Sequence, residues 1–106
     1  MMETNREILE IIKATSEKYL PGAEVFLFGS RARNDAAPDS DFDVLIVTMS
    51  ELSPRQKLPI KTKIRMDLLK DGIRSDILIQ SKREVTKKSR LPGHIIKSVL
   101  NEAILL

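Results

Sequence analysis

The feature that most narrows what this chain can fold into is a pair of apolar runs, Asp41 to Thr48 (DFDVLIVT) and Ser75 to Gln80 (SDILIQ), each entered through an aspartate. Both are short and rich in β-branched residues, so both read as strands. The segment between them, from about Pro54 to Asp71, has the length and apolar spacing of a helix. A strand, a helical crossover and a second strand normally leave the two strands parallel, with their starting ends on one edge of the sheet. Asp41, Asp43 and Asp76 then share a rim. The nearly continuous apolar stretch after Asp43 implies a strand buried on both faces.

The remaining elements follow from local signals. Thr4-Asn-Arg-Glu7 has the form of a capping box, and Ile8, Leu9, Ile11 and Ile12 predict a helix from about Arg6 to Tyr19, stopped by Pro21-Gly22. Glu24 to Phe28 predicts a buried strand closed by Gly29, and the polar stretch after it a short helix from Ser30 and a loop through Pro38. Ser53-Pro-Arg-Gln56 opens the crossover helix, which Pro59 would kink or delay and Gly72 would end. Ser81-Lys-Arg-Glu84 is another capping box, and His94 to Leu106 predicts a last helix. The order α-β-α-β-α-β-α-α points to an α/β fold, a sheet covered by helices. With 106 residues, 42% of them hydrophobic, the chain supports one domain over residues 1–106.

Composition restricts the chemistry. There is no cysteine and a single histidine, His94, so any metal must be bound by oxygen. No stretch approaches the roughly 20 apolar residues of a membrane helix, and the charged N-terminal segment is unlike a signal peptide. The expectation is a cytoplasmic chain with no membrane partner. Residues 1–50 carry five Lys/Arg against nine Asp/Glu, whereas residues 51–106 carry thirteen against six. Solvated helix faces are the favoured reading of that basic half. A nucleic-acid surface is the less favoured one, because aromatic residues make up only 4% of the chain and offer few stacking platforms.

Asp41 and Asp43 are two apart on a strand and project side by side, while Phe42 turns into the opposite layer. Adjacent carboxylates repel unless a cation neutralises them, and hard divalent ions such as Mg²⁺ take carboxylate oxygens together with substrate phosphates. Adding Asp76 produces the set that could hold two ions roughly 3.5 to 4 Å apart. At the end of the preceding strand, Gly29 lets backbone approach a phosphate, and Ser30 offers a hydroxyl and an N–H at a helix start. Arg31 and Arg33 are near enough in sequence to add cationic contacts.

Taken together, the stretch GSRARNDAAPDSDFDVLIV resembles the signature of the minimal nucleotidyltransferases, within the DNA polymerase β-like nucleotidyltransferase superfamily. The similarity continues through the Asp76 strand and the SKREV helix start, covering about Glu24 to Leu106. It implies a palm-like core, a small mixed sheet flanked by helices. It also implies that Gly29 and Ser30 hold the triphosphate, that Asp41 and Asp43 bind two Mg²⁺ ions, and that Asp76 completes the catalytic metal site. The activity implied is transfer of a nucleoside monophosphate, AMP from ATP, to an acceptor. In the family such short proteins often accompany a helical HEPN-domain partner, and some are antitoxins that attach AMP to it. The alternative is a module of the same fold that neutralises its partner by contact alone. One departure is Asn34, where a glycine often follows the second arginine; Asn tolerates left-handed backbone. Only helices are expected after the core, so the acceptor would come from a partner, a second subunit or a free molecule. His94 reads as a surface or capping residue, Tyr19 as part of the first helix's apolar face. The C-terminal AILL could pack on the core or on another copy of the chain.

Overall fold

The computed structural model describes residues 2–106, with side chains described from Asn5 onward. Its sheet is organised around the two apolar runs. Strands Phe42–Thr48 (β2) and Ser75–Ser81 (β3) lie side by side and parallel, with Asp43 opposite Asp76 and Val44 opposite Ile77. The crossover between them is the helix Pro54–Lys70 (α3). Strand Glu24–Phe28 (β1) pairs antiparallel with the other edge of β2, placing Phe28 opposite Asp43. The sheet is therefore mixed, in the order β3-β2-β1-β4, where β4 is the short strand Ile104–Leu105.

Period-two alternation sorts the strand side chains between two layers. Val25, Leu27, Phe42, Val44, Ile46, Ile77 and Ile79 pack with Ile12 of helix Met2–Tyr19 (α1) and with Ile64 and Leu68 of α3. On the opposite face, Leu45 and Val47 pack with Val85 of helix Lys82–Ser89 (α4) and Val99 of helix Ile95–Glu102 (α5). Cover on both faces explains why β2 is apolar at every position from Val44 to Val47. Each large aliphatic side chain so buried stabilises the fold by about 1.5–3 kcal/mol.

The caps at Ser53 and Ser81 behave as their sequences suggest. The Ser53 hydroxyl accepts the Gln56 N–H at 3.3 Å while the Gln56 side chain accepts the Ser53 N–H at 2.9 Å, and Ser81 and Glu84 repeat the exchange at 3.0 and 2.9 Å. Pro59 neither delays nor ends α3. It sits on the exposed side one and a half turns in, so the backbone bond it cannot make is lost where water can replace it. Two expectations are corrected. Helix α1 begins at Met2, so Thr4 lies within the helical backbone and not at its cap; the Thr4 side chain lies outside the described residues. The last helix ends at Glu102, not Leu106: Ala103 turns extended, and Ile104 and Leu105 pair antiparallel with Leu27 and Phe26. The unpaired edge of β1 offers backbone partners that a further helical turn would forgo, and the Leu106 N–H bonds the Val25 carbonyl at 2.8 Å. No helix among the described residues is long and apolar enough to cross a membrane.

Helices α1 and α3 are tied by a polar contact at the edge of their packed face. Tyr19 packs against the core and donates its hydroxyl to Asp67 at 2.5 Å, and Lys18 reaches the same oxygen at 3.3 Å. The Tyr19 hydrogen bond is the main cause holding the Asp67 carboxyl below the ordinary range, helped by Lys18. A carboxyl lowered on folding contributes stability that is present at neutral pH and lost as pH falls through its folded value. Asp67→Asn should therefore lower the melting temperature at pH 7, with the gap to wild type closing at acidic pH where Asp67 is protonated. Thermal melts across pH 2.5 to 7 check this; a gap independent of pH would contradict it.

Candidate active site

The rim of the sheet where β2 and β3 begin carries the acidic residues. Asp43 and Asp76 are register partners on adjacent parallel strands, so their side chains leave the same face. Asp76 is exposed, whereas Asp43 is only partly so, shielded by the β1–α2 turn, where α2 is the short helix Ser30–Arg33. Burial pushes the Asp43 carboxyl above the ordinary carboxylate range, and the negative charges of Asp76 and Asp41 push it further; Arg33 opposes them. Asp41 stands just before β2, and one of its oxygens lies 3.5 Å from Nε of Arg74. Among the described residues no three acidic or imidazole side chains are gathered closely enough to hold one ion as they stand. Both members of the Asp41–Arg74 pair are at least half exposed, so rotating Asp41 away forfeits little, about 0–1 kcal/mol. The donors are all carboxylate oxygens whose mutual repulsion a hard divalent cation would relieve, and in that chemical sense they fit Mg²⁺.

Gly29 is required by its surroundings. Its φ of 74° and ψ of −158° belong to a region that is essentially restricted to glycine, and a Cβ added there would stand 2.1 Å from Oδ2 of Asp43. The glycine thus admits the Asp43 carboxylate, an intramolecular demand beyond the approach of a phosphate. After it, the Gly29 carbonyl accepts the N–H groups of Ala32 and Arg33, each at 3.0 Å, and Asn34 ends the turn in left-handed conformation at φ 63°. Asn replaces glycine there without breaking the turn.

The two arginines of the turn have different tasks. Arg31 bonds the Ser40 carbonyl through Nε at 3.2 Å and Nη2 at 2.7 Å, reaches the Pro38 carbonyl at 3.1 Å, and lies 4.4 Å from the centre of the Phe42 ring. It braces the loop that delivers Asp41, on the side of the sheet where Phe42 is buried. Arg33 faces the acids and donates to Glu102 at 2.8 Å and Asp35 at 3.2 Å. Glu102 also accepts the Gly29 N–H at 3.0 Å. Arg33, and then this backbone donor, hold the Glu102 carboxyl below its ordinary range. His94 caps α5, its Nδ1 accepting the Ile96 N–H at 3.1 Å. Sequence reasoning missed Glu102 and Arg74, which belong to no motif and reach the site only through tertiary packing.

Residues 8–106 match the nucleotidyltransferase domain family. The chain belongs to that family. This nucleotidyltransferase is 31% identical to a candidate protein adenylyltransferase of Methanocaldococcus jannaschii, over 99% of each chain. Its fold superposes on a candidate minimal nucleotidyltransferase, 30% identical, with a TM-score of 0.62 over 98% of this chain and 94% of the other. It also resembles, at 15% identity and a TM-score of 0.51, a chain of a complex between a tri-AMPylated Shewanella oneidensis HEPN toxin and an MNT antitoxin, covering 99% of this chain and 71% of that one. At that identity the likeness is one of fold.

The Gly29 geometry has a consequence for stability. Gly29→Ala should cost about 1–3 kcal/mol from backbone strain, with a further loss from displacing Asp43. Gly22→Ala, also at positive φ but with no atom within 4 Å of its added Cβ, should cost less. Urea denaturation of both variants tests the contrast, and an unchanged midpoint for Gly29→Ala would refute it.

Proposed function

We propose that this nucleotidyltransferase moves AMP from ATP, in the presence of Mg²⁺, onto a hydroxyl group of a helical HEPN-type partner protein. The observation that carries the reading is the juxtaposition of the Asp43–Asp76 pair with the Gly29–Ser30 turn, so close that a single Cβ at Gly29 would meet the Asp43 carboxylate. An anion held by the Gly29 N–H and Arg33, the two donors that grip Glu102, would lie beside those acids. Backbone donors and a guanidinium are suited to phosphate oxygens, and they require no rearrangement as charge moves toward the leaving pyrophosphate.

In this reading Gly29, Ser30 and Arg33 hold the triphosphate, and Arg31 acts at a distance by fixing the loop before Asp41. Asp41, Asp43 and Asp76 would hold Mg²⁺, which supplies charge neutralisation and lowers the pKa of the attacking hydroxyl. Asp76 is exposed, so an acceptor could reach it and would be oriented by it toward the α-phosphate. The acceptor oxygen bonds to the α-phosphorus as the bond to pyrophosphate breaks, and the hydroxyl proton passes to solvent. The adenylyltransferase description of the archaeal relative supports AMP as the group moved, and the AMPylated toxin complex supports a HEPN-type acceptor.

Incubation of the chain with labelled ATP, Mg²⁺ and a co-encoded helical partner should label the partner. Asp76→Asn should bind nucleotide and partner nearly as wild type does yet transfer label slower by a factor on the order of 10² or more, the scale of losing one electrostatic contributor in a preorganised site. Partner neutralisation that persists in Asp76→Asn, with no label transferred by wild type, would replace transfer with contact-only action.

A further inference from the structure

We propose that Glu102 is an internal occupant of the phosphate position, and that the C-terminal end of α5 must withdraw before a nucleotide binds. The inference rests on the nucleotide reading of the Gly29–Arg33 turn. Both carboxylate oxygens are engaged there, Oε1 by the Gly29 N–H at 3.0 Å and Oε2 by Nη1 of Arg33 at 2.8 Å. A backbone N–H and a guanidinium gripping two oxygens of one anion is the arrangement a phosphate would receive. The carboxylate adds negative charge beside Asp43, where Asp41 and Asp76 already repel it. A side chain serving only to staple the C-terminal helix would be better placed away from that cluster. Its position is explained by the two donors, and a more highly charged anion would compete for both.

The attachment behind Glu102 is slight. Ala103 leaves the helix, and β4 contributes two register pairs with β1 plus the Leu106 N–H bonded to the Val25 carbonyl. Ile104 and Leu105 are both exposed, so of the last three residues only Leu106, partly buried against the core, holds the strand down by apolar contact. Short edge segments with few buried contacts open at low cost relative to the whole fold. Glu102 and β4 would thus move together, making nucleotide entry depend on whatever binds or releases the β1 edge.

Calorimetric titration of wild type, Glu102→Gln and Glu102→Ala with AMP-PNP and Mg²⁺ tests the idea, with thermal melts run alongside. Glu102→Ala should bind roughly tenfold more tightly or better, the scale of a charge-assisted contact removed from competition. Glu102→Gln should fall between, since its amide oxygen can still accept the Gly29 N–H without attracting Arg33. Equal or weaker binding by both variants would overturn the proposal, as would unchanged affinity with slower transfer, which would make Glu102 part of the chemistry. If neither wild type nor variant binds nucleotide, the nucleotide reading itself falls and takes this inference with it. Hydrogen exchange on the wild-type chain decides the matter should the variants not fold: AMP-PNP should speed exchange of the Leu106 amide, and binding without that acceleration would overturn the proposal.

Discussion

Everything in the site depends on the parallel pairing of β2 with β3. Because α3 carries the chain back over the sheet, the two strands start at one edge, and the register sets Asp43 directly against Asp76. Two carboxylates on neighbouring strands repel, and partial burial of one strengthens that repulsion by lowering the local dielectric. The fold supports this cost because the same strands are apolar beyond the rim. Val44, Leu45 and Ile46 are fully buried, and their burial anchors the aspartates in place whatever the charges would prefer. The rim is thus an edge of mutually repelling carboxylates held in place by a buried core.

A second layer of order comes from the turn between β1 and α2. Gly29 can take a backbone conformation closed to other residues, and without a side chain it lets Asp43 lie against the turn. Arg31, Asn34 and Phe42 then hold the polar loop in shape: the guanidinium gathers the Pro38 and Ser40 carbonyls and lies over the Phe42 ring. The loop has few apolar residues of its own, so an arginine takes the role a hydrophobic cluster would play elsewhere. Arg31 and Arg33, two positions apart, consequently serve opposite faces of the sheet, one structural and one directed at the acids.

The C-terminal segment links this site to the edge of the sheet. Glu102 is held by the Gly29–Arg33 turn, the proposed phosphate cradle, and β4 follows immediately on the free edge of β1. An edge strand exposes backbone groups through which another chain can pair. A short strand there sits a few residues from the side chain that fills the turn, so in the proposed scheme a contact made at the edge would be felt at the turn.

Much of this protein was legible in the sequence because its signals are local or periodic. Capping boxes at Ser53 and Ser81, the apolar β2 and β3 runs, and the parallel pairing that follows from a helical crossover all depend on residues close in sequence. A rim shared by Asp41, Asp43 and Asp76 follows from them, although the register that sets Asp43 directly opposite Asp76 was visible only in the folded chain, and the family could be recognised from the Gly29–Val47 stretch. What lay beyond reach was decided by contacts between distant residues. The end of α5 at Glu102 depends on the open edge of β1, which no pattern near Ala103 announces; an AILL tail reads as helical until an unpaired strand competes for it. The pairing of Asp41 with Arg74, the division of labour between Arg31 and Arg33, and the seat of Glu102 on Gly29 are likewise choices among partners. Local sequence restricts which side chains can reach a site, but only the packed chain settles which charge meets which, because each such contact is a competition that includes groups far apart in sequence.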